Sequence, residues 1–238
     1  MRSKTSALGV KIKILRDELV EFDVSDMQGS TLLESLNYIK TKLDTTLTFS
    51  SGCRSSVCGS CAMRVNGREV LACSYKVQDG DVIEPLKNVD VIRDLVVNMD
   101  KAYGFNVKSK AWINKTTVTP DVSQEAEKLN EVQSDCILCG SCYSACPVYA
   151  VNPEFKGPFS LTRVYKYVSD VRDLDVKEKI DVIQSTGIWD CTLCNECTMV
   201  CPQNISSKAD IEKLRMKSSQ YGYMDPNFGS FGGGLDFL

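Results

Sequence analysis

Twelve cysteines constrain this 238-residue chain more than any other feature, because all of them fall into three groups of four. The first group has the spacing C-x4-C-x2-C-x11-C and consists of Cys53, Cys58, Cys61 and Cys73. The other two groups share the spacing C-x2-C-x2-C-x3-C-P and consist of Cys136, Cys139, Cys142, Cys146 with Pro147, and Cys191, Cys194, Cys197, Cys201 with Pro202. Such regular spacing predicts that the chain folds around groups held by sulfur.

Each spacing corresponds to a known kind of iron–sulfur site. The first is the plant-type spacing for a [2Fe-2S] cluster, and the repeated run is the bacterial ferredoxin spacing for cubane-type clusters. In two-cluster ferredoxins the cysteine before proline ligates the other cluster. Crossed ligation predicts one site of Cys136, Cys139, Cys142 and Cys201 and another of Cys191, Cys194, Cys197 and Cys146.

Two other uses of cysteine fit the sequence less well. A disulfide scaffold is typically a short secreted chain with a higher density of cysteine than this one. Structural zinc needs four ligands in one tetrahedron and has no use for the spacing of the first group or for two Cys-Pro runs. We therefore expect iron–sulfur clusters, with a zinc or interaction scaffold as the non-redox alternative.

Composition excludes several other functions. The formal net charge of -3 and the pI near 5.2 provide no basic excess for binding nucleic acid. Histidine is absent, which excludes His-ligated haem and Rieske centres. The start of the chain has no signal-peptide core, and no stretch approaches the roughly 18 apolar residues of a membrane helix. We expect a chain that is soluble by itself and assembled in the cytosol.

Alternating apolar and polar residues predict two opening strands, over 10–16 and 20–24. Thr31 and Glu34 then form a capping-box pair, and apolar residues recur behind it at three to four positions. The sequence therefore predicts a β-hairpin followed by an amphipathic helix.

A second hairpin is predicted within residues 61–77, because Asn66-Gly67 is a strong signal for a two-residue turn. The order strand, strand, helix, ligand loop and strand pair describes a β-grasp domain. We predict that this plant-type [2Fe-2S] domain covers residues 1–98.

Beyond residue 98 the pattern changes from strands to helices. Periodicity fades over 99–120, which we interpret as a connector, and helical spacing then dominates 121–224. The predicted helices cover 123–132, 160–168, 176–183 and 207–216. A Gly-rich tail with aromatic residues, 225–238, ends the chain. The predicted fold class is α+β, with a β-grasp ferredoxin domain followed by an α-helical two-cluster ferredoxin domain.

The motifs resemble those of a known family. The loop from Cys53 to Gly67, CRSSVCGSCAMRVNG, and the run from Cys136 to Pro147, CILCGSCYSACP, are similar to those of the iron–sulfur subunit of succinate dehydrogenase and fumarate reductase. The resemblance implies a separate flavoprotein that carries FAD and interconverts succinate and fumarate. It also implies that this subunit has no catalytic residues, and that it relays electrons to or from a membrane-anchor or quinone-reactive partner on the cytoplasmic face of the cytoplasmic membrane.

The sequence departs from the family pattern in two places, one at the third cluster and one at the quinone site. Most members lack a cysteine at the position of Cys194 and hold a [3Fe-4S] cluster, so we predict a second [4Fe-4S] cluster here; the alternative is that Cys194 is present but unligated. Members that build a quinone site usually carry tryptophan in the stretch after Cys146-Pro147, where this chain reads VYAVN at 148–152. Both features are similar to a subgroup whose anchor is a cysteine-rich, heterodisulfide-reductase-like subunit.

An alternative function is that of an iron–sulfur adaptor for another flavoenzyme, such as a glycolate or glycerol-phosphate dehydrogenase. Those partners resemble the helical half but generally lack the plant-type half. Residues 1–98 therefore favour the succinate dehydrogenase and fumarate reductase family.

Overall fold

The computed structural model of the protein describes residues 9–116 and 122–226 and divides the chain into two units. The first consists of Met1–Asp100, Ile137–Ala145 and Val200–Gln203, and the second of Lys101–Cys136, Cys146–Met199 and Asn204–Leu238. Most of the predicted tail, from residue 227 onward, lies outside the described residues.

A five-stranded sheet in the order β2-β1-β5-β3-β4 forms the first unit. Its strands are β1 (Lys11–Leu15), β2 (Leu19–Asp23), β3 (Ala62–Val65), β4 (Arg68–Leu71) and β5 (Val82–Glu84). β5 runs parallel to β1 and antiparallel to β3, so it joins the two predicted hairpins into one sheet. A separate hairpin pairs β6 (Asp90–Arg93) with β7 (Val96–Asn98).

The first hairpin follows from its alternating side chains. Ile12 and Ile14 on β1 are fully buried, and Ile12 pairs with the buried Phe22 of β2. The second hairpin turns at Asn66 and Gly67, whose φ angles of 51° and 82° suit the type I′ turn that their sequence predicts. Both predicted hairpins are confirmed.

Helix α1 (Leu32–Tyr38) begins with the predicted capping box. The Thr31 side chain accepts from the Glu34 N–H, and the Glu34 carboxylate accepts from the Thr31 N–H at 2.7 Å. The helix continues as a π-helical turn, Ile39–Leu43. Its apolar face, with Leu32, Leu36 and Ile39 fully buried, helps to form the core of the first unit.

The second unit is helical. Its helices are α2 (Asp100–Lys108), α3 (Gln124–Lys128), α4 (Glu131–Ser134), α6 (Pro147–Val151), α7 (Pro158–Val168), α8 (Val176–Val182), α9 (Glu196–Met199) and α10 (Ser207–Gln220). Helix α10 packs along α7, and this core includes Phe159, Val164, Ile211 and Leu214. The α+β fold class is thereby confirmed.

Helix α5 (Ser141–Ser144) carries one ligand segment and belongs to the first unit. The Ser144 hydroxyl donates to the Glu69 carboxylate at 2.7 Å and accepts from the Lys87 N–H at 2.8 Å. The Asn88 side chain donates to the carbonyls of Tyr143 and Ser144. These hydrogen bonds anchor a cysteine-bearing segment of the predicted helical region beside the sheet.

Candidate iron–sulfur sites

The first ligand loop places its cysteine sulfurs among backbone donors. Cys53 Sγ accepts from the N–H groups of Ser55, Val57 and Cys58, each at 3.3 Å. Cys73, which follows β4, accepts from the Ser56 N–H at 3.3 Å. Hydrogen bonds to sulfur are one of the means by which a protein sets the potential of a cluster. The loop therefore has the donors that a sulfur-held cluster needs.

This loop achieves its tight path with left-handed backbone conformations. Arg54, Ser56 and Gly59 have φ angles of 61°, 59° and 72°. Gly52 also makes room, since a Cβ there would lie 2.9 Å from Cys58 Sγ. A strand could not bring these cysteines together, because its side chains alternate between faces.

The four thiols of the first set differ in exposure. Cys53 and Cys58 are exposed, whereas Cys61 is buried. Hydrogen bonds from Ser60 and Cys53 lower the pKa of Cys58 to about 6, while burial raises the pKa of Cys61 to about 11. One edge of the site thus faces solvent and the other lies against the protein.

The second predicted set is divided between the units. Cys139, Cys142 and Cys201 belong to the first unit, and Cys136 is the last residue of a segment of the second. Burial raises the pKa of Cys139, and the charge of Cys201 raises it further. The structure therefore brings a cysteine of the last run close to a cysteine of the preceding run, as crossed ligation requires.

The third predicted set lies wholly within the second unit. All four of its cysteines, Cys146, Cys191, Cys194 and Cys197, line one cavity together with the apolar side chains of Phe155, Pro158 and Ile211. Burial raises the pKa of Cys197 to about 12, and the charges of Cys191, Cys146 and Cys194 contribute to this increase. Cys146 comes from the preceding run, which is the placement that crossed ligation predicts for this site.

The two Cys-rich runs repeat one backbone conformation. Leu138 and Leu193, each just before the second cysteine of its run, have φ angles of 53° and 57°. Gly140 and Asn195, each just after that cysteine, have φ angles of 84° and 73°. Cys194 is therefore flanked, like Cys139, by two residues of left-handed φ.

The donor atoms fit iron–sulfur clusters better than other prosthetic groups. None of the twelve cysteines forms a disulfide, and each predicted set offers thiolate sulfur alone. Among the described residues, no three His, Cys, Asp or Glu side chains could hold a single metal ion. An iron–sulfur cluster needs no such site, because each iron takes two cysteines in a [2Fe-2S] cluster and one in a [4Fe-4S] cluster.

Arg215 is a residue of the third site that spacing did not reveal. Its guanidinium donates to the carbonyls of Ile188 and Cys191, at 2.7 and 2.6 Å, and lies 5.4 Å from the centroid of the Trp189 ring. It therefore holds the segment that leads into Cys191. The sequence has no signal for this role, since Arg215 is one of several basic residues on α10.

Comparison with known proteins agrees with this arrangement. A family model described as a 2Fe-2S iron-sulfur cluster binding domain matches residues 12–104, and one described as a 4Fe-4S dicluster domain matches residues 132–205. The fumarate reductase iron-sulfur subunit of Escherichia coli O6:H1 is 36% identical over 200 residues, which cover 80% of this chain and 82% of that protein. The chain belongs to the family of succinate dehydrogenase and fumarate reductase iron–sulfur subunits.

One further relative and one solved structure are also similar to this chain. The chain is 33% identical over 228 residues to a fumarate reductase (CoM/CoB) subunit of Methanothermobacter marburgensis, a match that covers 90% of this chain and 45% of that protein. A chain of the Mycobacterium smegmatis Sdh1 complex in the apo form has the same fold, with a TM-score of 0.80, 22% identity and coverage of 93% of this chain and 100% of that one.

Membership confirms the resemblance predicted from the cysteine motifs. The protein is an electron-transfer subunit of an oxidoreductase complex whose catalytic site lies on the flavoprotein, and it binds [2Fe-2S] and [4Fe-4S] clusters. Within the described residues, no helix has the length and apolar character needed to cross a membrane.

Proposed function

We propose that this subunit relays single electrons between a flavoprotein that carries FAD and an acceptor subunit, through one [2Fe-2S] and two [4Fe-4S] clusters. When bound, such clusters accept and release one electron each, at potentials set by hydrogen bonds, charge and exposure. The proposed ligands are Cys53, Cys58, Cys61 and Cys73 for the first cluster, Cys136, Cys139, Cys142 and Cys201 for the second, and Cys146, Cys191, Cys194 and Cys197 for the third.

The placement of Cys194 carries the proposal of a second [4Fe-4S] cluster. This cysteine lines the same cavity as Cys146, Cys191 and Cys197, and, like Cys139 in the preceding run, it is flanked by two residues of left-handed φ. The match to a family model described as a 4Fe-4S dicluster domain also supports this composition. Four sulfurs around one cavity favour a four-iron cluster over the three-iron alternative.

The protein's own residues prepare the third site in two ways. Phe155 and Ile211 line the cavity, and Cys146 and Cys197 are buried, whereas Cys194 is exposed. Arg215 fixes the backbone before Cys191 and places a positive charge near its sulfur. Exclusion of water and a nearby cation both influence the potential at which such a site accepts an electron.

Replacement of Cys194 by serine tests the composition of the third cluster. We expect Cys194→Ser to convert this cluster to a three-iron form, which gives a low-temperature EPR signal in the oxidised protein. Cys139→Ser is the matched control, since it changes the equivalent position of the preceding run and should damage the second cluster instead. Spectra of Cys194→Ser that equal those of the wild type would refute ligation by Cys194.

The acceptor is proposed to be a cysteine-rich, heterodisulfide-reductase-like protein. Cys194 and the absence of tryptophan from residues 148–152 both depart from the pattern of quinone-linked members, and the Methanothermobacter marburgensis relative is named for CoM and CoB. In this arrangement the complex would lie peripherally on the cytoplasmic face of the membrane. Such a partner should co-purify anaerobically with the tagged subunit and the flavoprotein.

Reoxidation by substrate separates the proposed complex from an adaptor of another flavoenzyme. The clusters of the anaerobic complex are reduced with dithionite, the excess reductant is removed, and fumarate is added. Loss of the reduced-cluster EPR signals within the complex supports the proposal. If fumarate has no effect while glycolate or glycerol phosphate reduces the oxidised clusters, the subunit serves a different dehydrogenase.

A further inference from the structure

Gly59 brings the first ligand loop against a ligand segment of the second cluster. It lies between Cys58 and Cys61, and a Cβ at this position would be 2.7 Å from Cys139 Cβ and 2.9 Å from Cys139 Cα. The carbonyl oxygen of Ile137 would lie 2.9 Å away from the same atom. All of these residues belong to the first unit. Only a residue without a side chain permits this approach.

Gln203 makes a second connection between the same two parts of the first unit. Its side-chain amide donates to the Ser56 carbonyl at 3.1 Å. Ser56 in turn donates its N–H to Cys73 Sγ at 3.3 Å. Gln203 follows Cys201 by two residues, so a short chain of covalent and hydrogen bonds joins Cys201 to Cys73.

Each connection joins a proposed ligand of the first cluster to one of the second. Gly59 is bonded to Cys58 and contacts Cys139, while Gln203 links the segment after Cys201 to the donor that holds Cys73. Electron tunnelling weakens steeply with distance, so the closeness of two ligand loops decides how well electrons pass between their clusters. The contacts of Gly59 and Gln203 therefore lie where the distance between the first and second clusters affects electron transfer.

We propose that Gly59 and Gln203 are positioning residues that set the separation between the first and second clusters. This inference rests on the proposed function, because it assigns a role within the same relay. Gly59 sets the separation by the absence of a side chain, and Gln203 prevents the loop from moving away. Neither residue touches iron, and both act through the cysteines beside them.

Gly59→Ala tests the proposal, with Gly80→Ala as its matched control. Gly80 has a φ angle of 82°, similar to the 72° of Gly59, but a Cβ there meets nothing within 4 Å. The control therefore imposes the backbone strain of alanine at positive φ without crowding a neighbour. Any effect of Gly59→Ala that Gly80→Ala lacks arises from the close approach to Cys139.

The measurement is the spin–spin interaction between the reduced first and second clusters, read by EPR on the dithionite-reduced complex. Iron analysis first establishes that each variant carries its clusters. We expect a weaker interaction in Gly59→Ala and the wild-type interaction in Gly80→Ala. An unchanged interaction in fully loaded Gly59→Ala would overturn the proposal.

If Gly59→Ala does not fold, Gln203→Ala tests the proposed positioning role instead. It removes the hydrogen bond to Ser56 without adding an atom, and it should weaken the same interaction; an unchanged spectrum would overturn the proposal. Failure of the proposed function has a different signature. If the wild-type complex shows no two-iron signal, both proposals fail, whereas a complete set of wild-type signals that no variant alters refutes the positioning role alone.

Discussion

At the scale of single residues, the composition of each cluster depends on which cysteine sulfurs ligate it. Cys146 and Cys201 hold equivalent places before proline in the two runs. Cys146 lies with the cysteines of the last run, and the charge of Cys201 affects the pKa of Cys139 in the preceding run. Both placements favour crossed ligation, because each run then contributes its last cysteine to the other cluster.

Cys201→Ser tests this crossing. The change should damage the second cluster, which we assign to Cys136, Cys139 and Cys142 together with Cys201, and leave the third cluster intact. Iron analysis and EPR of the reduced complex distinguish the two centres. Damage confined to the cluster of Cys191 would show that the run keeps its own fourth cysteine and that the crossing is wrong.

At the scale of elements, the helical unit contains an ion pair that is fully buried. Lys179 on α8 lies 2.7 Å from the Asp173 carboxylate, and both side chains have no exposed surface. Removing one partner of a buried pair leaves the other charge without compensation, which is strongly destabilising. The connection between α8 and the segment that precedes it therefore depends on both partners being present.

Lys179→Met should reduce the free energy of unfolding by about 3–5 kcal/mol. Lys177→Met is the control on the same helix, because Lys177 forms an exposed pair with Asp181. Exposed pairs contribute little to stability, because water screens their charges. Denaturant unfolding of the anaerobic holoprotein measures both. Equal losses in the two variants would contradict the assigned role of the buried pair.

Asp210 on α10 gives the helical unit a dependence on pH. Burial raises the pKa of this carboxyl from 3.8 to about 6, although its Oδ1 accepts from Gln133 Nε2 at 2.7 Å. Between these two values the folded protein binds a proton that the unfolded chain releases. Stability attributable to Asp210 therefore falls as pH rises through this window.

Asp210→Asn should remove this dependence and stabilise the protein above pH 6, by up to about 3 kcal/mol. The amide keeps the size of the carboxyl and an acceptor for Gln133. Glu212→Gln changes the same charge at a more exposed position on α10 and serves as the control. Denaturant unfolding at pH 5 and at pH 7.5, one inside the window and one above it, measures the difference. A stability advantage of Asp210→Asn that is no larger at pH 7.5 than at pH 5 would refute the effect.

Sequence periodicity predicted most elements of the fold but missed those with little burial. The strands of the two predicted hairpins lie within a few residues of their predicted positions. The same is true of helices α7, α8 and α10. The stretch 123–132 forms two short helices, α3 and α4, because the chain leaves helical geometry at Asn130, which is the N-cap of α4. Helix α2 went unpredicted, since it buries only Ala102 and Phe105.

Sequence periodicity also missed the short strands. β5 has three residues, too few to show alternation, and all four residues of β6 are exposed. Pairing of β5 between β1 and β3 depends on contacts that lie far apart in the sequence. Local patterns therefore predicted the elements and not the order of the sheet.

At the scale of the whole molecule, cysteine spacing predicted the three ligand sets, and the structure adds how they are supported. Spacing is informative because ligands that share a cluster must come from tight loops. Cysteine spacing does not predict the hydrogen bonds of Arg215 and Gln203 or the close approach at Gly59, because these depend on segments that meet only in the folded chain. The proposed domain limits, 1–98, 99–120, 121–224 and 225–238, stay a prediction beside the two observed units.

Low-temperature EPR of the freshly, anaerobically purified complex tests the central claim most directly. With Cys194 as a ligand, we expect no three-iron signal in the oxidised state. Stepwise reduction with dithionite should then reveal one two-iron centre and two interacting four-iron centres. A strong three-iron signal from fresh oxidised protein would contradict the account, since it would leave Cys194 unligated and place the subunit with quinone-linked members of its family.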